Sequence, residues 1–239
     1  MRKGGKILGT ILNELKKMLA PGISTMDLEK KAESLFQKFN VKPSFKGYNG
    51  YPYILCTSIN NNVVHTFPSN KHILNNGDLI NVDCGVIYGG LHTDSAFTEV
   101  IGNKGHKTIE FKSIAYKALF NGIAQAKVGN KVGAIGEAIQ KTVEKAGFSI
   151  IKELIGHGVG ENLHEEPQVP NYGSKNNGPI LQENMTIAIE PIISMGNGKV
   201  KTLDDKWSIV TSDGALACQA EHTVLISKNG PEILTQIQS

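Results

Sequence analysis

Ile80-Asn81-Val82-Asp83 recurs 107 residues later as Ile187-Ala188-Ile189-Glu190, and this recurrence indicates the fold. The same offset places Ile73-Leu74 on Ile180-Leu181 without a gap. Both segments are largely apolar, as buried strands are, and both end in an acidic residue. We therefore interpret Asp83 and Glu190 as equivalent positions in two half-repeats.

The repeat extends upstream into two pairs of amphipathic stretches. Pro21-Gly22-x-x-Thr25-x-x-Leu28 aligns with Val128-Gly129-x-x-Val132-x-x-Ile135, and apolar residues follow each at helical spacing. We predict helices near 3–19, 25–40, 107–127 and 132–146. We predict strands near 53–60, 63–66, 79–87, 91–101, 150–156, 184–195, 207–212 and 216–227, with loops at 42–52, 165–179 and 196–206.

These elements predict an α+β architecture, in which a central antiparallel sheet carries the helices on one side. We expect a single domain over residues 1–239, with pseudo-symmetric halves of about 1–106 and 107–239. A site at the pseudo-twofold axis would receive side chains from both halves.

The composition is that of an ordinary globular protein, with 40% hydrophobic and 20% charged residues. A net charge of +3 is too weak and dispersed to indicate nucleic-acid binding. No apolar run approaches the ~20 residues of a membrane span. The three cysteines include no C-x-x-C pair, which favours reduced thiols and a cytoplasmic location.

Two aspartates lie on consecutive predicted strands around Tyr88-Gly89-Gly90. With a two-residue turn at Tyr88-Gly89, Asp83 and Asp94 would face each other directly, with Cβ atoms about 4.5–5.5 Å apart. Two ionised carboxylates at that distance repel each other unless cations lie between them. The alternative is a pair of acids on a solvent face, but the apolar residues around them indicate buried strands.

A histidine and two glutamates complete a set of metal-binding candidates. Glycines flank His157, so its backbone could pass close to another element and leave the imidazole accessible. Glu190 precedes Pro191, and Glu221 lies in a predicted strand whose alternation turns His222 to the opposite face. Taken singly, His157 could be structural and each glutamate a surface acid. Together with Asp83 and Asp94 they could hold two divalent ions at once, which is the ligand set typical of a two-metal hydrolase.

The chain resembles the type I methionine aminopeptidases of the pita-bread fold along nearly its whole length. The resemblance rests on Pro21–Thr25, Gly47–Pro52, Ser58–Asn60, Val63–His65, Gly156–Gly160, His164–Pro167, Ile189–Pro191 and Glu221–Thr223, together with the two aspartates. It implies two divalent cations, which could be Co, Mn, Fe or Zn. By this resemblance Asp83 binds one ion, His157 and Glu190 bind the other, and Asp94 and Glu221 bind both.

The resemblance also implies roles for residues outside the ligand set. Glu190 would transfer the proton, His164 would stabilise the oxyanion, and His65 would contact the amide nitrogen or the substrate backbone. The methionine side chain would be bound by Tyr48, Tyr51, Cys56, His65, Leu163 and Trp207. Phe45 and Leu163 depart from the family, which usually has a cysteine and a phenylalanine there.

The implied substrates are the N-termini of nascent polypeptides whose second residue is small. We also expect a monomer that associates transiently with the ribosome and binds neither a membrane nor a specific nucleic acid. One alternative is a proline-specific aminopeptidase, which carries an additional N-terminal domain for which this chain has no room. The other is a metal-free binding module, which would have lost ligands that this chain retains.

Overall fold

The structure is a computed structural model that describes residues 1–103 and 105–236. Within these residues it contains four α-helices, each close to a predicted one: α1 (Arg2–Lys17), α2 (Thr25–Phe39), α3 (His106–Ile123) and α4 (Val132–Lys145). Helix α2 begins with a capping box, in which Ser24 and Asp27 each bind the other's backbone N–H. Its C-cap residue, Asn40, has the left-handed conformation and lies where the predicted helix ends.

The strands are short, apart from the hairpin that carries the two aspartates. In chain order they are β1 (Lys42–Pro43), β2 (Leu55–Ile59), β3 (Asn62–Val64), β4 (Leu79–Tyr88), β5 (Leu91–Val100), β6 (Ser149–Ile150), β7 (Gly156–Gly158), β8 (Glu165–Val169), β9 (Thr186–Ile189), β10 (Ile192–Ser194), β11 (Val200–Thr202), β12 (Ile209–Thr211), β13 (Ala217–Gln219), β14 (His222–Ser227) and β15 (Gly230–Ile233). All of their pairings are antiparallel. They form hydrogen-bonded groups ordered β1-β4-β2 with β5 on β4, β13-β10-β6, β11-β12-β3, and β15-β14-β9-β7-β8.

Several predicted strand boundaries are wrong. The strand predicted near 184–195 breaks at Glu190-Pro191, where proline cannot donate to a ladder, and that near 216–227 breaks at Ala220-Glu221. The strand predicted near 150–156 is two short ones. Strands β1, β8 and β11 lie within predicted loops, and β15 was not predicted.

The 107-residue repeat is visible in the backbone. The N–H of Gly22 donates to Leu74 O at 2.8 Å, and the N–H of Gly129 donates to Leu181 O at 2.9 Å. Isolated bridges join Ser24 to Ile73 and Lys131 to Ile180, again 107 residues apart. The pseudo-twofold α+β fold is therefore confirmed, while the boundary between halves near residue 106 stays a prediction.

Strand alternation separates a helix face from a second, acidic face. Ile80, Val82, Cys84 and Val86 pack with α1 and α2 in one core, and the matching Ile187 and Ile189 pack with α3 and α4 in another. The intervening residues, Asp83 among them, therefore point away from the helices. Hydrogen bonds across the halves join the sheets on this face, including one from the Glu221 N–H to Ala96 O at 3.1 Å.

The hairpin register differs from the prediction. Tyr88 pairs with Leu91, so the turn residues are Gly89 and Gly90, with φ of 60° and 80°. Both positions need the left-handed region, which glycine adopts at low cost, and this selects the turn. Asp83 consequently lies opposite Ala96 rather than Asp94. The two aspartates share a face as diagonal neighbours, which are about 7–8 Å apart in such pairs.

No helix among the described residues has the length and apolar character that crossing a membrane requires.

Candidate metal centre

A cavity of about 210 Å³ opens on the acidic face, between the two halves. Every residue predicted for the site lines it. They are Tyr48, Tyr51, Cys56, His65, Asp83, Asp94, His157, Leu163, His164, Glu190, Trp207 and Glu221. Residues that are separated by up to 173 positions in sequence, from Tyr48 to Glu221, thus meet in one place.

The five candidate ligands come from strands or strand ends. Asp83 and Asp94 lie within β4 and β5, and His157 is the middle residue of β7. Glu190 follows β9 directly, and Glu221 precedes β14 directly. His157 lies opposite Ala188, two residues before Glu190, so both side chains leave the sheet on the same face.

The segment around His157 is a buried strand, not a loop. A Cβ at position 156 would lie 2.3 Å from Ala188 O, and one at position 158 would lie 2.2 Å from Glu166 O. Glycine is therefore required on both sides of His157 by the neighbouring strands β8 and β9. This close approach is the physical reason for the glycines that flank the imidazole in the sequence.

The ligand atoms converge. Asp94, His157 and Glu221 each offer one atom within 4.8 Å of the others. His157 Nε2 lies 3.7 Å from Glu190 Oε1 and 3.9 Å from Asp94 Oδ2. His157 Nδ1 lies 2.8 Å from the Gly158 carbonyl oxygen, so Nδ1 carries the proton and donates. Nε2 then presents its lone pair to the carboxylates, which is the usual arrangement of a metal-binding histidine.

Burial makes this cluster electrostatically costly without cations. Burial raises the pKa of Asp83 to about 7. Burial, and then repulsion among the carboxylates, raises the pKa of Asp94, Glu190 and Glu221 well above the usual range. Asp83 Oδ1 and Asp94 Oδ1 are buried and have no hydrogen-bond partner among the described residues.

These features fit a divalent cation. Its charge would allow the carboxylates to ionise together, and it would bind the oxygens that lack a partner. Burial, with His164 nearby, lowers the pKa of His157 to about 4, so the imidazole is in the neutral form that binds metal.

An apolar pocket adjoins the acidic cluster. Cys56 is the direct cross-strand partner of Asp83, and it packs with Phe45, Tyr51 and Leu163 in a buried group. The ring of Trp207 meets that of Tyr51 edge-on, with centroids 5.0 Å apart. The pocket wall is thus aromatic and sulfur-bearing, as the family resemblance implies. Its residue Cys56 lies on the strand next to that of Asp83, a candidate ligand.

Two further histidines lie at the junction of this pocket with the acidic cluster. His164 Nδ1 lies 2.9 Å from Tyr48 Oη, and the rings of His164 and His157 have centroids 4.3 Å apart. His65 has a left-handed backbone, with φ of 58°, and its ring lies edge-on to Trp207. Burial lowers the pKa of both His65 and His164, so both rings are neutral.

Sequence reasoning missed several residues that line the cavity. They are Val64, Leu154, Ile155, Ile192 and Gln219, and Phe45, noted only as a departure from the family, lines it too. Strand alternation from Glu221 could have identified Gln219, two residues earlier on the same face. His222 points away, and its Nδ1 lies 3.0 Å from Thr235 Oγ1 and 3.3 Å from Ser95 Oγ.

Such a buried centre of carboxylates and one neutral imidazole beside an apolar pocket is typical of a metal-dependent hydrolase. Residues 1–228 match the model of metallopeptidase family M24, and the chain belongs to that family. Family membership and the buried cluster together indicate that the protein uses divalent metal.

Individual relatives are similar over nearly their whole length. A methionine aminopeptidase of Clostridium perfringens is 46% identical, with 100% of this chain and 95% of the relative covered. Methionine aminopeptidase 1 of Bacillus subtilis is 42% identical, with 99% and 95% covered. The crystal structure of methionine aminopeptidase from Thermotoga maritima superimposes with a TM-score of 0.97 at 42% identity, covering 99% of this chain and 95% of that one.

Proposed function

We propose that this protein removes the N-terminal methionine from polypeptides by metal-dependent hydrolysis of the first peptide bond. The observation that carries the proposal is the contact between the two parts of the cavity. Cys56 in the pocket pairs across the sheet with Asp83 in the acidic cluster, so a side chain in the pocket would place its own peptide group beside the carboxylates. The relatives named above support the choice of methionine.

We propose that the centre holds two ions, because five candidate ligands line one cavity. We assign Asp83 to one ion, His157 and Glu190 to the other, and Asp94 and Glu221 to both. The mixed set of carboxylates and imidazole accepts Mn, Fe, Co or Zn. When bound, the ions would acidify water and polarise the peptide carbonyl.

Three side chains would then move protons and bind the reacting groups. Glu190 would accept a proton from the attacking water and transfer it to the leaving amine, so the proton count balances. His164, whose Nδ1 is held by the Tyr48 hydroxyl, would direct its Nε2–H at the oxygen of the tetrahedral intermediate. His65, at the edge of Trp207, would contact the substrate backbone next to the scissile bond.

The pocket would recognise the methionine side chain by shape and polarisability. Tyr51, Cys56 and Leu163 are each no more than 5% exposed, so the pocket has a closed end that suits one unbranched side chain. Sulfur–aromatic contacts with Tyr51 and Trp207 favour a thioether. Tyr48 and His65 would form the mouth of the pocket.

The natural substrates would be the N-termini of nascent polypeptides with a small second residue. This activity implies a cytoplasmic enzyme, with transient binding to the ribosome and a monomeric state as further proposals. A metal-free binding module is less consistent with the site, because all five candidate ligands line one cavity. A proline-specific aminopeptidase is disfavoured by the identity of the relatives.

Peptide hydrolysis by the metal-free protein, with each metal added back, tests the proposal. We expect restored cleavage of Met-Ala-Ser, and little cleavage of Leu-Ala-Ser or an Ala-Pro peptide. Met-Lys peptides should be cleaved very slowly because the loops around His65 and Trp207 would crowd a large second residue. Comparable rates on Met-Ala and Met-Lys peptides would leave a broad-specificity aminopeptidase instead.

A further inference from the structure

A neutral side chain, Gln219, lies among the carboxylates of the metal centre. It ends β13 and is 1% exposed. Its Nε2 lies 3.3 Å from Glu221 Oε2 and 3.4 Å from Glu190 Oε2. Gln219 thus contacts two of the four carboxylates without adding charge.

Asn81 fixes which end of the Gln219 amide faces those carboxylates. Asn81 Nδ2 donates to Gln219 Oε1 at 2.6 Å, across 138 residues of sequence and from the other half of the molecule. The same Nδ2 also lies 3.5 Å from the Val63 carbonyl oxygen, so two acceptors determine the orientation of the Asn81 amide. Because the Gln219 oxygen is bound by Asn81, only the Gln219 NH2 group can face the glutamates.

The orientation has a chemical consequence. An ionised carboxylate can only accept hydrogen bonds, so the Gln219 NH2 group stabilises Glu190 and Glu221, whereas its oxygen would repel them. Asn81 Oδ1 is buried and has no partner within the described residues. Burying an unpaired polar atom costs free energy, and a role in orienting Gln219 gives a reason for retaining asparagine there.

We propose that Gln219 is a positioning residue that holds the Oε2 atoms of Glu190 and Glu221. Asn81 acts through Gln219 by fixing the orientation of its amide. By holding these two oxygen atoms, the amide would keep both carboxylates in the orientation in which they can bind metal. Hydrogen bonds of this kind to ligating side chains are typically worth 10–100-fold in metal affinity or activity. The inference rests on the metal ligation in the proposed function and is independent of methionine selectivity.

Calorimetric titration of the full-length apo-protein with Mn²⁺ tests the role of Gln219. Gln219→Met keeps the volume of the side chain and removes the donor. We expect Mn²⁺ affinity to fall about 10–100-fold, the range typical of such partners. At saturating Mn²⁺, kcat for Met-Ala-Ser should fall while KM stays unchanged, because the methionine pocket is intact.

Thr98→Val is the matched control. The Thr98 hydroxyl donates to the backbone carbonyl of Gln219 at 2.6 Å, so the substitution also removes a buried hydrogen bond to residue 219. It leaves the Gln219 side chain in place. A lower unfolding temperature with unchanged Mn²⁺ affinity is expected. If Thr98→Val weakened Mn²⁺ binding as much as Gln219→Met, the amide would have only a structural role.

Two further variants keep the inference testable if Gln219→Met does not fold, which circular dichroism would show. Gln219→Asn retains a polar amide but withdraws it by one methylene, and should weaken Mn²⁺ binding likewise. Asn81→Leu should weaken Mn²⁺ binding when it is the only substitution. It should cause little further loss of Mn²⁺ affinity in a Gln219 variant. Full additivity would show that Asn81 does not act through Gln219.

The outcomes separate this inference from the proposed function. If the wild-type protein binds Mn²⁺ and hydrolyses Met-Ala-Ser, but both Gln219 variants bind Mn²⁺ with wild-type affinity, the positioning role is wrong and the function stands. If the wild-type apo-protein binds no Mn²⁺ and no added metal restores hydrolysis, the metal ligation itself is wrong.

Discussion

The two halves of the molecule share a backbone plan but bring different chemistry to the centre. Each half contains the same backbone hydrogen bond, from the Gly22 N–H to Leu74 O in the first and from the Gly129 N–H to Leu181 O in the second. The first half contributes short aspartates within two ten-residue strands. The second half contributes a histidine and two glutamates, and both glutamates lie where strands break.

The aspartates and the glutamates are held in place in different ways. Asp83 and Asp94 are held by continuous strand pairing on β4 and β5, so their positions are set by the backbone. Glu190 and Glu221 have longer side chains next to strand ends, and each contacts the Gln219 amide. We therefore expect the aspartates to keep their positions without metal, and the two glutamates to depend more on their side-chain partners.

The largest effect is expected at Asp94, the residue of the first half that is assigned to both ions. Asp94→Ala should lose both ions and nearly all activity, whereas Asp83→Ala should retain more metal because Asp83 is assigned to one ion. The chain should stay folded, since one of four mutually repelling buried carboxylates is removed. Metal content after gel filtration and the rate on Met-Ala-Ser measure this.

Asp204→Ala serves as the control for that substitution, because Asp204 is an exposed aspartate outside the cavity. It should leave metal content and rate at the wild-type level. An Asp94→Ala protein that held two metals per chain would show that the ligand assignment is wrong.

A smaller effect is expected at the two histidines proposed to act in catalysis, one from each half. His65→Ala and His164→Ala should each reduce kcat by roughly 10²–10⁴-fold, the range for proton transfer or oxyanion stabilisation. Metal stoichiometry should not change, because neither is assigned as a ligand. His106→Ala, at an exposed histidine that begins α3, controls for loss of an imidazole. Loss of metal from His164→Ala would instead make His164 a ligand.

The sequence predicted the helices well because they depend on local periodicity. It revealed the repeat because two distant segments share the same apolar pattern. α1, α2 and α4 end within two residues of their predictions, and the apolar pattern shared by residues 80–83 and 187–190 marks the buried strands. It failed for β8, which was predicted to be a loop. There Glu165, Glu166 and Gln168 face outward, and only Pro167 and Val169 are buried.

The convergence of the site could not be derived from local pattern alone. The register error at Gly89-Gly90 shows why, since adjacent glycines allow the turn to be placed one residue either way. Nothing in the local sequence brings His157 to Asp94. That contact depends on the hydrogen bonds between β5 and the Glu221–Thr223 segment, which include one from the Asp94 N–H to Thr223 Oγ1 at 2.9 Å. The expectation that these residues form one site came from the family resemblance instead.

Leu163, at the pocket wall of the second half, should affect selectivity moderately. It is smaller than the phenylalanine usual in the family, so the pocket should accept norleucine at the first position unusually well. Leu163→Phe should reduce cleavage of norleucine peptides relative to methionine peptides by no more than about 1–3 kcal/mol, the limit for similar apolar side chains. Metal content should be unchanged. Equal norleucine-to-methionine ratios in both proteins would contradict this role.

The smallest effect is expected at Tyr48 of the first half, which we expect to orient His164 of the second. Its hydroxyl lies 2.9 Å from His164 Nδ1, and donation from that hydroxyl leaves the proton of the neutral ring on Nε2. Tyr48→Phe keeps the ring at the pocket mouth and removes this hydrogen bond. A net hydrogen bond is worth about 0.5–1.5 kcal/mol, so kcat should fall several-fold with little change in KM.

Nitrogen-15 spectra of histidine-labelled protein measure the tautomer of His164 directly. In Tyr48→Phe we expect a mixture of Nδ1–H and Nε2–H forms where the native protein has Nε2–H. Tyr53→Phe is the control, because Tyr53 packs on Tyr51 and Phe67 beside the pocket without lining the cavity. A native tautomer in Tyr48→Phe together with a lowered kcat would show that Tyr48 acts on the substrate itself, and that the two halves orient their catalytic groups independently.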